Sequence, residues 1–435
     1  MNIKKLLFAC LVFSLIVIGL WFASAITPPI LQKTSHIDTV GDISVAQPAW
    51  GSERLLVVFA DTKKFPDQAL GQQLSAIGVT AAVIDSGQFF KGFTAKTGQC
   101  LDATHLTSAI TALGSALPTP AGSKLIVAGI ADGALLPFIN AQSVSANNAT
   151  NLSIGFSVTP PVDLVLCPPL SAHNLIATSG LQGNWRSVWT DEPPDETAVF
   201  IKTLGKVDTQ IAAYDTPFDT VLVDELKTLL GQANTSPPMP VVEVPANKSS
   251  DTVTIFYSGD GGWRDLDRTV AGEMAALNYL VVGVDVLRYF WEHKNPNQIA
   301  ADLTATMAYY RKNWGAKSFV LAGYSFGADI LPAVYNRLSA QDKDSVTLLA
   351  LIALANTADF EIHVSGWLGQ SGGEQSLAPE LAQIPKTKIL CIYGKEEIAD
   401  TACTSLQNSA ATILELSGGH HFDQDYPKLT RQIPG

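Results

Sequence analysis

The sequence predicts a tandem of two α/β domains, each a parallel sheet covered by helices, with an α/β-hydrolase core in the second. Three observations predict it. Apolar, β-rich runs alternate with helical stretches along both halves of the 435-residue chain. The two halves resemble each other segment by segment. Finally, an apolar strand in the second half, Lys317 to Ala322, runs into Gly323-Tyr324-Ser325-Phe326-Gly327 and then at once into a helix-forming segment.

Taken in chain order, residues 1–25 read as a targeting segment. Lys4 and Lys5 give a positive start, Leu6 to Phe22 is almost uninterruptedly apolar, and Ala23-Ser24-Ala25 is a small-x-small cleavage signal. The expectation is export with cleavage after Ala25. An uncleaved anchor is the alternative, since the run approaches spanning length. Cys10 comes too early in the run to be a lipidated cysteine, and no later run is long enough to span a bilayer.

Five cysteines agree with an oxidising compartment. With Cys10 removed, four remain, and the expected pairs are Cys391–Cys403 and Cys100–Cys167. No Cys/His spacing suggests a metal, and no motif asks for a cofactor. The formal charge is −12, or −14 once Lys4 and Lys5 are removed. That balance argues against nucleic acid and other phosphate polyanions and suits a cationic partner or substrate, or simply solubility. A hydrophobic content of 47% excludes a disordered chain.

The expected domains are 26–235 and 246–435, separated by a Pro-rich linker at 236–245. Leu55–Asp61 resembles Thr254–Asp260, and Val79–Asp85 resembles Leu280–Asp285. Lys124–Pro137 tracks the Ser325 segment, with Ala131 where the serine stands. The offsets of 199, 200 and 194 fit a duplication with small insertions. Alanine cannot attack a carbonyl, so the first half reads as a scaffold without its nucleophile. The second half carries expected strands near 252–258, 280–285, 317–322, 347–355, 388–393 and 411–416, and helices over 302–314 and 329–338. Little length is left for a large lid.

Gly-x-Ser-x-Gly between a strand and a helix is the pattern of a nucleophile elbow. The serine sits on a tight turn, so its neighbours two residues away must be small. Ser325 is therefore the expected nucleophile, and the Phe326 N–H an expected oxyanion donor. In this fold the acid and then the histidine follow. After the strand at 411–416, Ser417-Gly418-Gly419-His420-His421 supplies the histidine, with His420 the first choice as base and His421 the alternative. After the strand at 388–393, the loop Gly394 to Asp400 offers Glu397, three residues past the glycine, or Asp400 as the acid, with Asp359 a further option. Ser258-Gly259-Asp260-Gly261-Gly262-Trp263 is placed to give a second oxyanion donor from Gly261 or Gly262. It lacks the lysine and Ser/Thr of a phosphate-binding loop. Asp260, Asp265 and Asp267 cluster there as candidate contacts for a cationic substrate, or as helix caps and partners of Arg264 and Arg268.

Together, the segments at 258–268, 323–329, 391–394 and 418–422 resemble the AcvB/VirJ family of bacterial periplasmic proteins within the α/β hydrolases, and the chain length resembles the long AcvB form. The resemblance implies a periplasmic serine esterase that cleaves the aminoacyl ester of aminoacylated phospholipids such as lysyl-phosphatidylglycerol. It also implies a link to type IV secretion and virulence. The expected partners are then a membrane phospholipid substrate and secretion-system proteins. A broader esterase or acyltransferase, or a non-catalytic adaptor, remains the alternative, and the crowded acid loop leaves Glu397 and Asp400 both open.

Overall fold

The computed structural model describes residues 29–37, 41–97, 101–117, 122–143, 149–159, 161, 167, 181–204, 207–232, 237–248, 250–362 and 375–433. The expected signal segment at 1–25 lies outside them. Among the described residues no helix is long and apolar enough to cross a membrane. The chain forms two compact units. One comprises residues up to 188 with 200–209 and 217–233; the other comprises 189–199, 210–216 and 234–435. The segments 189–199 and 210–216 thus belong with the second unit, although they fall inside the range 26–235 that the sequence assigns to the first domain.

The first unit is built on an eight-stranded sheet: β1 (Ile30–Ile37), β2 (Gly41–Pro48), β3 (Arg54–Ala60), β4 (Thr80–Asp85), β5 (Lys124–Ile130), β6 (Thr150–Ile154), β7 (Asn184–Trp189) and β8 (Asp208–Ile211). The spatial order is β1-β2-β4-β3-β5-β6-β7-β8. β1 and β2 form an antiparallel hairpin and β2 meets β4 antiparallel, while β4, β3, β5, β6 and β7 run parallel. Leu55 to Ala60 are all buried, as a strand covered on both faces requires. Cys167 is disulfide-bonded; Cys100, its expected partner, lies outside the described residues.

The second unit repeats this plan without the outermost strand. Its seven-stranded sheet consists of β9 (Val241–Val244), β10 (Thr252–Tyr257), β11 (Leu280–Val284), β12 (Ser318–Tyr324) and β13 (Val346–Ile352), then, after a two-residue pair β14 (Thr357–Ala358) and β15 (Gln375–Ser376), β16 (Ile389–Gly394) and β17 (Thr412–Leu416). The order is β17-β16-β13-β12-β10-β11-β9. All neighbours are parallel except β9, which meets β11 antiparallel. The expected linker at 236–245 therefore contains an edge strand. Val241-Val242-Glu243-Val244 has the β-branched content of a strand, and Pro240 just before it is tolerated at an edge.

The expected helix over 302–314 begins earlier, at Pro296. Asn295 caps it by accepting the Gln298 N–H, proline suits its first turn, and Gly315 at φ 72° ends it. The chain lays β11 on one side of β10 and β12 on the other. That reversal opens a crevice at the carboxyl ends of β10 and β12, where open α/β sheets hold their sites.

Candidate active site

Ser325 ends the turn after β12 at φ 53° and ψ −122°, a backbone conformation that few non-glycine residues adopt. Its N–H donates to the Ile352 carbonyl at 2.9 Å. Close packing explains the flanking glycines. A Cβ on Gly323 would lie 2.4 Å from the Gly327 backbone, and one on Gly327 would lie 2.4 Å from the Tyr257 carbonyl oxygen. Phe326 opens the helix Phe326–Asn336, so its N–H has no intrahelical acceptor and points out of the helix N-terminus.

Two further loops meet this turn. His420 places Nε2 2.9 Å from Ser325 Oγ, and its Nδ1 lies 2.6 Å from Glu397 Oε1. The sequence alternatives lie elsewhere. His421 directs Nδ1 to the Tyr324 hydroxyl at 3.1 Å. Asp400 is exposed, and its backbone binds Glu397 and Asn356. The acid and histidine loops pack tightly: the Glu396 N–H donates to the Gly418 carbonyl at 3.1 Å, and a Cβ on Gly394 would sit 2.2 Å from the Gly419 carbonyl oxygen. The Cys391–Cys403 disulfide closes the acid loop at its base, with Cα atoms 5.6 Å apart.

The glycine-rich loop after β10 reaches the serine through Gly259. A Cβ there would lie 3.2 Å from the Tyr324 ring and 3.9 Å from Ser325 Cβ. Trp263 anchors the loop. It is buried, stacks edge-on to Phe256 with centroids 5.9 Å apart, and fills the space that Gly283 of β11 leaves open.

The oxyanion expectation for Gly262 needs correcting, because its N–H already donates to the Gly259 carbonyl at 3.1 Å. Gly261 faces the Arg264 guanidinium. The acids also separate. Asp260 and Asp265 are exposed. Asp267 is 5% exposed and accepts the Gly259 N–H at 3.2 Å, so it braces the loop and is not open to a substrate cation. Burial pushes the Asp267 carboxyl well above the usual carboxylate range, with the Asp285 and Asp260 charges adding to the effect against the Gly259 N–H.

Sequence reasoning missed two groups beside the serine. Tyr324 donates its hydroxyl to the His420 carbonyl at 3.2 Å and contacts His421. Asp329, one turn into the helix, accepts the Ala355 N–H at 2.8 Å, and desolvation raises its carboxyl well above the ordinary range. Their places in Gly-Tyr-Ser-Phe-Gly-Ala-Asp were visible, but their partners come from distant loops. Among the described residues, Asp102, His105 and Cys167 lie close enough to share a metal. Cys167 is committed to a disulfide and has no thiolate to offer.

The strand order of the second unit, with Ser325 at the strained turn after β12, defines an α/β-hydrolase domain. Within that class, residues 251–434 match the family described as bacterial virulence protein (VirJ). Among solved structures, the chain is similar to an α/β serine hydrolase homologue from Coxiella burnetii, at 17% identity over 44% of this chain and 88% of that one, with a TM-score of 0.30. A lidless α/β serine hydrolase from Xanthomonas campestris matches at 17% identity over 44% and 83%, with a TM-score of 0.32. A hyperthermophilic esterase from Pyrobaculum calidifontis matches at 19% identity over 50% and 88%, with a TM-score of 0.31. No curated protein matches the chain.

Proposed function

We propose that the protein is a serine esterase whose second unit cleaves the aminoacyl ester of aminoacylated phospholipids such as lysyl-phosphatidylglycerol, at the periplasmic face of a membrane. The observation that carries the reading is the continuous relay from Glu397 through His420 to Ser325, with contacts of 2.6 and 2.9 Å. Ser325 Oγ attacks the aminoacyl carbonyl while His420 Nε2 takes its proton. Glu397 holds the Nδ1–H and stabilises the imidazolium. The Phe326 N–H binds the developing oxyanion, with a second N–H from the Gly259–Gly262 loop. The tetrahedral adduct collapses, the lipid glycerol oxygen leaves with the proton from His420, and a water activated by the same imidazole releases the free amino acid.

The substrate class follows from family likeness together with chemistry at the loop. In this reading Asp260, exposed next to Gly259, accepts a charge-assisted hydrogen bond from the substrate ammonium. A periplasmic location and contact with secretion components belong to the same proposal.

Two measurements test it. A fluorophosphonate probe should label Ser325, and cells lacking the protein should accumulate aminoacyl-phosphatidylglycerol. Labelling without lipid accumulation points to a broader esterase or acyltransferase. No labelling points to a non-catalytic adaptor.

A further inference from the structure

Arg264 sits between the glycine-rich loop and two segments from far earlier in the chain. Its guanidinium packs on Gly261, where a Cβ would come within 3.2 Å of both Nε and an Nη nitrogen. Nη1 donates to Asp191 Oδ1 at 2.9 Å, and Nη2, the nitrogen that also faces Gly261, donates to Glu192 Oε1 at 3.5 Å. Its Cζ lies 5.4 Å from the centre of the Tyr214 ring. At its base, the Arg264 N–H donates to the Gly262 carbonyl at 2.9 Å, and the helix Asp265–Ala276 begins at the next residue.

Asp191 and Glu192 lie in the segment 189–199, and Tyr214 in the segment 210–216, both of which belong to the second unit. The two segments are tied to each other by the Ala212 N–H donating to the Trp189 carbonyl at 2.6 Å. They engage the unit at further points. Asp215 lies 3.5 Å from Arg268, the Ile211 carbonyl accepts from Arg288 Nε at 3.0 Å, and Trp189 packs on Trp291 with ring centres 6.2 Å apart.

We propose that Asp191, Glu192 and Tyr214 are positioning residues for the hydrolytic site, acting through Arg264 to fix the Gly259–Gly262 loop beside Ser325. The inference rests on the esterase reading, in which that loop supplies an oxyanion donor. A loop of four residues with three glycines has little rigidity of its own. An oxyanion donor is useful only when it is held in place before the charge develops. Asp267 braces the loop on its buried side through the Gly259 N–H. Arg264 grips the Gly261 side, and the guanidinium's planar fork lets one side chain meet two carboxylates and an aromatic face together. The segments that precede the Pro-rich break thereby complete a site whose reacting residues all follow it.

The test uses the full-length protein, with a soluble p-nitrophenyl ester for kcat and KM and a fluorophosphonate for the labelling rate of Ser325. The Asp191→Asn/Glu192→Gln pair should lower kcat about tenfold or more, as slight misplacement of a catalytic group does, with KM changed less than about twofold. Adding Arg264→Gln to that pair should cost no more than Arg264→Gln alone, because both act through one side chain. Placing glutamate at 191, as Asp191→Glu in the Glu192→Gln background, should recover most of kcat.

Wild-type kcat in the Asp191→Asn/Glu192→Gln pair, or fully additive losses with Arg264→Gln, would overturn the positioning role while leaving the esterase reading intact. A wild-type protein that neither hydrolyses the ester nor labels at Ser325 overturns both. If the Arg264 variants do not fold, Asp191→Asn alone decides, since that carboxylate is half exposed and its loss does not open the core.

Discussion

Ala131 and Ser325 share an uncommon positive φ, at 51° and 53°. The surroundings match as well. A Cβ on Gly129 would meet the Gly133 carbonyl oxygen at 2.0 Å and one on Gly133 would meet the Phe59 carbonyl oxygen at 2.2 Å, as Gly323 and Gly327 meet their own neighbours. The first unit has a closely packed turn of the same kind, with alanine where the second unit has its serine. Such strain costs on the order of 1–3 kcal/mol and persists only where the surrounding structure imposes it. Here the packing of the following helix against the sheet imposes it in both units.

Ala131 also fixes the expectation for Ser325→Ala. Alanine already holds this positive φ in the first unit, so the substitution should leave the thermal midpoint within about 2 °C of wild type. Turnover should fall at least a hundredfold, with fluorophosphonate labelling lost. A purified variant with more than about a tenth of wild-type turnover would remove Ser325 from the nucleophile role.

Tyr324→Phe probes the group that ties the elbow to the histidine loop. The ring stays packed against Gly259, and only the hydroxyl that meets the His420 carbonyl and His421 is lost. One hydrogen bond contributes about 1 kcal/mol, so kcat should fall roughly three- to tenfold with KM little changed. An unchanged kcat would mean that the His420 loop holds its place without Tyr324.

Much of the site was legible because the residues that carry it are punctuated by glycine. Gly323 and Gly327 flag Ser325, Gly394 precedes the acid loop, and Gly418-Gly419 precede His420. Gly323, Gly327, Gly394 and Gly418 mark close backbone approaches that no side chain can share, so local sequence reports distant geometry. The six parallel strands of the second unit were legible as apolar runs. What escaped reading depends on partners far apart in the chain. Val241–Val244 looked like linker until β11 paired with it. Asp267 read as a contact for a cationic substrate, or as a helix cap or arginine partner, yet at the third position of its helix it turns inward to the Gly259 N–H. Nothing near Arg264 announces Asp191 and Glu192, more than 70 residues away.

The disulfide gives a stability test. Cys391 and Cys403 are fully buried, and beside them the Ala402 N–H and Thr401 hydroxyl both donate to the Leu354 carbonyl. Closing a loop of this length contributes roughly 3 kcal/mol. Cys403→Ser should lower the unfolding free energy by about that amount and reduce kcat, because the same loop carries Glu397. Denaturant unfolding of the oxidised wild type and the variant reads the first effect. Equal denaturation midpoints would show that the bridge does not stabilise the fold.

Asp267 predicts how stability depends on pH. Its carboxyl is raised above the usual range chiefly by burial, so the folded state holds the proton more tightly than the unfolded chain. The contribution is fully present below the ordinary aspartate value of about 3.9. It is lost as pH rises from there through the raised folded value, because the unfolded chain then binds fewer protons than the folded one. Asp267→Asn keeps a carbonyl oxygen for the Gly259 N–H and cannot ionise. Relative to wild type, the variant should therefore gain stability with rising pH across that window, by at most about 1.4 kcal/mol per pH unit for a single proton. Urea unfolding of both proteins from pH 4 to pH 8 measures the difference directly. Parallel stability curves would mean that Asp267 ionises as freely in the folded protein as in the unfolded chain, and the brace at Gly259 would then be that of an ordinary carboxylate.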